Sequence, residues 1–180
     1  MRLVFTGAHS TGKSTLLKAL VERYPPICTE HVIWDGTARA IHNNPKWTRK
    51  KKQTKLNNWY IWNHWKERNY IASRSIYDTL AYSHLTVGFW HHDQRWMWAL
   101  KHINYNEVFY IPVEFGLVDD GERFKGEDFQ QEVDQEIKRI LDYHRVPYNT
   151  ITGTVEDRVQ QIANILGLPY IPEGGEPLDA

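Results

Sequence analysis

Short apolar runs alternate with segments of helical periodicity along this chain. RLVFT, residues 2–6, reads as a buried strand. A glycine-bearing turn follows, then a helix from about Lys13 to Arg23 with Leu16, Leu17 and Leu20 on one face. Pro25 and Pro26 end that helix. ICTEHVI, 27–33, reads as a second strand, Thr37 to His42 as a short helix, and Asn43, Asn44 and Pro45 as a break. A longer helix is expected from about Lys51 to Arg68, a third strand over 69–73, and helices over 78–88 and 94–102. EVFYIPV, 107–113, is a fourth strand rich in β-formers. A polar loop then leads to a helix over 129–144 that turns Val133, Ile137, Ile140 and Leu141 inward. PYNTIT, 147–152, is the fifth strand, and a helix over 155–166 closes the pattern. Strands alternating with helices predict a parallel α/β sheet covered on both faces. One domain is expected over 1–170, with a disordered tail over 171–180.

Composition narrows the setting. The 180 residues include one cysteine, Cys28, so no internal disulfide forms, which suits a reducing compartment. Cys28 lies in an apolar run and reads as packed rather than reactive. No apolar run approaches the ~20 residues that span a bilayer, and MRLVFTG does not read as a signal peptide. A cytoplasmic protein with no membrane partner is expected. The formal net charge is zero, yet no acid occurs between Asp35 and Glu67, while Arg39, Lys46, Arg49, Lys50, Lys51, Lys52, Lys55 and Lys66 fall in that window. Acids gather later, from Asp119 to Glu136. That asymmetry points to an anionic partner on one side. All eight tryptophans lie from Trp34 to Trp98.

GAHSTGKS, Gly7 to Ser14, fits the phosphate-loop pattern G-x-x-x-x-G-K-[ST], with a strand before it and a helix after it. Glycines let the backbone curl so that its N–H groups face a phosphate, and the helix dipole adds to the attraction. The nucleotide-binding set is therefore Gly7, His9, Ser10, Thr11, Gly12, Lys13, Ser14 and Thr15, with His9 reading as structural or solvent-facing rather than catalytic. Lys13 reaches the β and γ phosphates and Ser14 ligates Mg²⁺. No N-K-x-D box for guanine is present, so ATP is the expected nucleotide.

A phosphate loop alone does not separate an ATPase motor from a transferase. VDDGERFKGED, 118–128, reads as a lid within a region of about 115–128, and closing it excludes water. Arg123 and Lys125 in it would stabilise the transferring phosphoryl group. The alternative is an exposed hairpin. HVIWDGTAR sets Asp35 and Arg39 beyond the second strand, where ligands of open parallel sheets gather. Asp35 accepts the proton of an attacking hydroxyl in this reading, and Arg39 orients the acceptor. Otherwise Asp35 caps the helix that starts at Thr37. SRSIYDTLAYS sets Arg74 and Asp78 beyond the third strand, Asp78 as either a helix cap or a site residue.

GAHSTGKST, WDGTAR, SRSIYDTLAYS, and VDDGER with VPYNTITG together resemble one branch of the small phosphate-loop kinases. That branch includes the ribosylnicotinamide kinase domain of a bacterial NAD-metabolism regulator and phage-encoded relatives. The resemblance implies a P-loop NTPase three-layer sandwich, ATP and Mg²⁺ as cofactors, and phosphoryl transfer to a nucleoside-like hydroxyl. It also implies that Arg123 is a lid arginine and that Arg74 lies in the site. Many relatives carry an acid where this chain has Ser73, which leaves Asp35 or Asp78 to assist the metal. An Asp followed by an Arg beyond the second strand is also similar to polynucleotide kinases.

In such kinases the acceptor binds between the second strand and the fourth, here about 34–102. Flat side chains stack on bases and lysines neutralise backbone phosphates. Trp34, Arg39, Lys50, Lys51, Lys52, Trp59, Trp62 and Arg74 are therefore the expected acceptor residues. A hydroxyl carried on DNA, such as a hydroxymethyl-pyrimidine or a strand end, is the leading reading. A free nucleoside or nucleotide is the alternative, and a nucleic-acid-binding ATPase without a covalent acceptor is the third. Against these stands packing: aromatics on two sides of one helix suit burial, and lysines at its start suit a solvated face. His84, His91, His92 and Asp93 read as a helix-end cluster rather than a zinc site. Oligomeric state is not legible in the chain.

Overall fold

The computed structural model describes residues 1–88, 93–115 and 127–176. Its strands are β1 (Arg2–Thr6), β2 (Val32–Trp34), β3 (Tyr70–Ala72), β4 (Glu107–Tyr110) and β5 (Asn149–Thr150). All pair in parallel, in the order β2-β3-β1-β4-β5. The helices are α1 (Lys13–Arg23), α2 (Pro25–Glu30), α3 (Thr37–His42), α4 (Arg49–Lys66), α5 (Ile76–Val87), α6 (Gln94–His102), α7 (Glu127–Tyr143) and α8 (Val155–Leu166). The expected five-stranded parallel sheet with helices on both faces is the fold observed.

Side-chain alternation builds two cores from the same strands. Val4, Tyr70, Ala72, Val108 and Tyr110 face α5, α6 and α7, meeting Leu80, Trp96, Val133 and Ile137. Leu3, Phe5, Ile71, Phe109 and Ile111 face the other way, against Leu16, Leu20, Val159 and Ile162 of α1 and α8. The register sets Phe5 beside Phe109, with ring centroids 5.5 Å apart. Burial on both faces is why these strands read as apolar runs rather than alternating ones. Among the described residues, no helix is long and apolar enough to cross a membrane.

The second strand differs from the sequence expectation. Pro25 and Pro26 do more than end α1; they occupy the opening positions of α2, where a missing N–H costs nothing. The segment expected as strand from residue 27 is therefore helical to Glu30, and β2 begins at Val32. The chain end is also tied down at its near part. The Tyr24 hydroxyl donates to the Pro169 carbonyl at 3.0 Å, and Ile171 is buried in the second core.

α4 carries an enclosed histidine. The Ile76 amide donates to the Tyr105 hydroxyl at 3.0 Å, which leaves that hydroxyl's proton for His64 Nδ1 at 2.7 Å. The ring proton then sits on Nε2, which has no acceptor and lies among the rings of Trp34, Tyr60 and Tyr70. Burial, with help from the Arg2 charge, lowers the His64 pKa from 6.5 to about 3. The unfolded chain therefore takes up a proton below pH 6.5 that the fold refuses until much lower pH. Stability is expected to fall by about 1.4 kcal/mol per pH unit as pH drops below that point. Urea unfolding at pH 6.5 and pH 5 measures this slope. His64→Gln should flatten it, and an unchanged slope in the variant would contradict the assignment.

Candidate active site

The phosphate loop leaves the C-terminal end of β1, between β3 and β4. Gly7 has φ 148, and a Cβ there would run into the Ile111 carbonyl at the end of β4, so no other residue fits without moving the sheet. Ser10 and Gly12 adopt left-handed conformations, at φ 60 and 86, and Gly12 caps α1. Lys13 is 6% exposed and arches back over the loop, donating to the Ala8 carbonyl and, at 2.9 Å, to the Thr11 hydroxyl. Phosphate oxygens at the same place would replace neutral acceptors by charged ones, a stronger class of bond.

Helices on three sides hold this loop. From α5, the buried Asp78 carboxylate accepts from the Gly7 amide at 3.0 Å, the Thr6 hydroxyl at 2.8 Å, and the Ser75 amide and hydroxyl at 2.7 and 2.5 Å. From the same helix, the Tyr82 hydroxyl accepts from the His9 amide at 3.0 Å and lies 2.8 Å from His9 Nδ1. From α7, Gln130 donates to the His9 carbonyl at 2.6 Å. From α8, Arg158 donates to the Thr11 carbonyl at 2.6 Å and binds Glu114 at 2.6 Å, while Glu114 accepts from the Gly153 amide. His9 thus serves the shape of the loop through its backbone and ring.

The acids separate into two roles. Asp78 belongs to a capping box with Ser75 at the start of α5, and it is fully enclosed with both oxygens engaged. It is placed beneath the loop, not at its mouth, so the expected metal role does not suit it. Asp35 is exposed at the end of β2. Its Oδ1 accepts from Ser14 Oγ at 2.8 Å and from Ser73 Oγ at 2.5 Å. The alternative role as a cap for α3 is excluded, because Gly36 is the cap residue and makes no side-chain cap bond. Asp35, Ser14 and Ser73 therefore meet at one point beside the phosphate loop. They offer hard oxygen donors that suit Mg²⁺, an ion that completes its shell with water and substrate phosphates. The described residues contain no group of three or more His, Cys, Asp or Glu placed to hold a metal ion.

Arg74, at the end of β3, lies over the Tyr82 ring at 5.2 Å. Tyr60 of α4 is buried close enough to Arg74, Asp78 and Asp35 to feel each charge, and burial raises its pKa. Arg39 is exposed on α3, one helical turn past Asp35. Arg123 and Lys125 of the expected lid lie outside the described residues, as do His91 and His92. His84 instead pairs with Glu136 at 2.7 Å. The side chain of Cys28 is likewise not described.

The expected aromatic acceptor surface is not assembled. Trp34 stacks on His64 and lies tilted against Tyr70, with centroids 5.1 and 4.4 Å away, and it meets Trp59 edge to face at 5.4 Å. These rings pack the β2 side of the sheet against α4. Trp62 is 57% exposed, but it lies towards the far end of α4, next to Trp65. The Trp65 carbonyl accepts from Arg2 at the start of β1, so this patch is at the opposite end of the sheet from the phosphate loop. An open cleft between α4 and α6 there is lined by Ile61, Trp62, Trp65 and Trp98. The cations at the other end of α4 divide as well. Lys51 and Lys55 lie over the Trp47 ring, Lys50 is exposed, and Lys52 donates to the His42 carbonyl at 2.5 Å.

Sequence reasoning missed Tyr82, Gln130, Glu114 and Arg158 as holders of the loop. Only Tyr82 lay in a stretch already singled out. The AAA domain family model matches residues 2–158. Solved structures with the same fold include deoxyadenosine kinase from M. mycoides with dCMP and dCDP, at 12% identity over 93% of this chain and 98% of that one, TM-score 0.63. Thymidylate kinase from Ehrlichia chaffeensis matches at 16% identity over 92% and 98% of the two chains, TM-score 0.60. The NadR protein in complex with NR matches at 15% identity and TM-score 0.69, over 99% of this chain but 53% of that one. At these identities the likeness is one of fold. No curated protein matches the sequence.

Proposed function

The chain belongs to the AAA domain family, and from that premise we propose that it is an ATP-dependent kinase acting on a hydroxyl of a free nucleoside or nucleotide. One observation carries the reading: an exposed carboxylate, Asp35, is hung on the hydroxyls of Ser14 and Ser73 at the lip of the phosphate loop. A kinase needs a group beside the phosphate loop that can take the proton of the attacking hydroxyl, and Asp35 is placed to do so. The likeness in fold to a deoxyadenosine kinase and a thymidylate kinase supports a small acceptor.

In this mechanism the loop amides and Lys13 hold the triphosphate. The acceptor oxygen attacks the γ-phosphorus in line, its proton passes to Asp35, and the bond to the β–γ bridging oxygen breaks so that ADP leaves with the electron pair. Ser14 and Asp35 would hold Mg²⁺, which would supply positive charge against the triphosphate. Arg74 lines the acceptor side and orients the incoming group.

A hydroxyl carried on DNA is the second reading. The exposed Lys50 and its neighbours favour it, but its aromatic support is weakened because Trp34 and Trp59 pack inward. γ-Labelled ATP offered with nucleosides, nucleotides and hydroxymethylated DNA tests the proposal. Label on a small acceptor supports it. Label only on DNA favours the second reading, and hydrolysis with no labelled acceptor removes both. Asp35→Asn is expected to cut transfer on the order of 10²-fold, with ATP affinity nearly unchanged. Equal losses in both would assign Asp35 to nucleotide binding alone.

A further inference from the structure

The end of the sheet away from the phosphate loop leaves three indoles in water. Trp62 and Trp65 of α4 and Trp98 of α6 are 57, 42 and 38% exposed. They touch in series, Trp62 to Trp65 at 5.4 Å and Trp65 to Trp98 at 5.5 Å between centroids, with planes tilted by 52° and 69°. Rings tilted in this way do not cover one another's faces. One exposed indole is ordinary, but three in contact make a patch of the kind that marks an interaction site. The cleft they line measures about 610 Å³.

A second cleft, of about 600 Å³, adjoins the first through Trp65 and is lined by Arg2, Lys66 and Arg68. The Arg2 guanidinium is fixed there by carbonyls, donating to those of Trp65 and Glu67 at 3.0 Å each. Carbonyls hold the group without cancelling its charge. Among the described residues, no carboxylate forms an ion pair with Arg2, Lys66 or Arg68. Glu67 is the acid of this segment, and its carboxylate accepts from the amides of Arg68 and Asn69 at 2.9 and 3.5 Å. Glu107, on the neighbouring strand, is turned to Asn149 of β5 at 2.9 Å. The cations around the second cleft therefore outnumber the acid beside them, and the rings of the first cleft border a positive surface.

Charge decides what covers this face. A second copy of the chain, brought up by a two-fold axis, would set the same cations near one another across the contact. A polyanion built of flat units satisfies both clefts at once: its rings stack on indoles and its phosphates meet cations. A duplex keeps its bases inside the stack and offers phosphates alone. We propose that this face binds single-stranded nucleic acid, with bases stacked on Trp62, Trp65 and Trp98 and backbone phosphates on Arg2, Lys66 and Arg68. Arg2 opens β1 and the phosphate loop leaves its other end, so the strand is held apart from the nucleotide site. The proposal therefore does not depend on the kinase reading.

Filter binding with an end-labelled strand of about 12 nucleotides tests this, with the same sequence as a duplex and as mixed mononucleotides in parallel. The strand is expected to bind more tightly than either, with affinity falling as salt rises from about 50 to about 200 mM. Trp62→Ala and Trp65→Ala should each weaken it about tenfold. Trp62 is the most exposed of the three rings, so its variant reads binding without disturbing the fold. Lys66→Ala and Arg68→Ala should each weaken binding and lower the slope of log affinity against log salt by about 0.7. Lys138→Ala, an exposed cation on α7, should change neither. A saturating non-hydrolysable ATP analogue should leave the strand bound; displacement by it would place the strand at the phosphate loop and overturn the proposal. Binding that survives both tryptophan variants, or retention of duplex or mononucleotides as tight as the strand, also overturns it. So does a dimer in sedimentation that the tryptophan variants break apart with no strand bound, which assigns the face to a second copy. Transfer of label to small acceptors reads the phosphate-loop site separately, so failure of either reading leaves the other standing.

Discussion

Asp78→Ala is expected to lower the free energy of unfolding by about 3–5 kcal/mol. The carboxylate is enclosed, and it is the common acceptor for the Gly7 amide, the Thr6 hydroxyl, and the amide and hydroxyl of Ser75. Removing it leaves several buried donors without a partner, each worth about 1–3 kcal/mol of desolvation. It also dissolves the capping box of α5, worth about 1 kcal/mol. Chemical denaturation monitored by circular dichroism reads the effect. Asp78→Asn keeps the shape and one acceptor oxygen, so it should lose clearly less. A loss below about 1 kcal/mol for the alanine variant would show that the loop finds other partners, and Asp78 could then no longer be treated as its anchor.

Lys13→Met is expected to reduce phosphoryl transfer on the order of 10³-fold while the protein stays folded. Methionine keeps the apolar stem that lies buried across the loop and removes only the ammonium. That ammonium now bridges the Ala8 carbonyl and the Thr11 hydroxyl, so it is held within the loop before substrate arrives. A charge already in position stabilises the phosphoryl group in the transition state without a cost in reorganisation. Steady-state rates under saturating ATP separate this effect from weaker binding. A variant that recovers near-normal turnover at high ATP would confine Lys13 to binding.

How far the fold was legible depended on what each segment touches. β1, β3 and β4 lie in the interior of the sheet order and are covered on both faces, so their apolar runs announced them. β2 is an edge strand of three residues, and its neighbour sequence could be read either way until the two prolines were seen to open a helix. The phosphate loop was legible because its chemistry is contiguous in sequence. Its supports were not, because Gln130 and Arg158 come to it from 121 and 147 residues away, on helices whose periodicity records only their apolar faces. The tryptophans failed for a related reason. Spacing along α4 shows which rings share a face, whereas the direction of the helix across the sheet decides which end they occupy.

That division of the tryptophans gives the molecule two optical environments. Indole emission shifts to longer wavelength as the ring meets water, so Trp62, Trp65 and Trp98 contribute a red component and the enclosed Trp96 a blue one. The red set stands at the end of the sheet away from the phosphate loop, where bound nucleotide is too distant to alter it. Trp34 is different: it adjoins Asp35 in the chain and lies flat on a neutral imidazole. Iodide, which reaches the exposed rings, strips the red background and leaves the more enclosed Trp34, Trp59 and Trp96, of which Trp34 adjoins Asp35 in the chain.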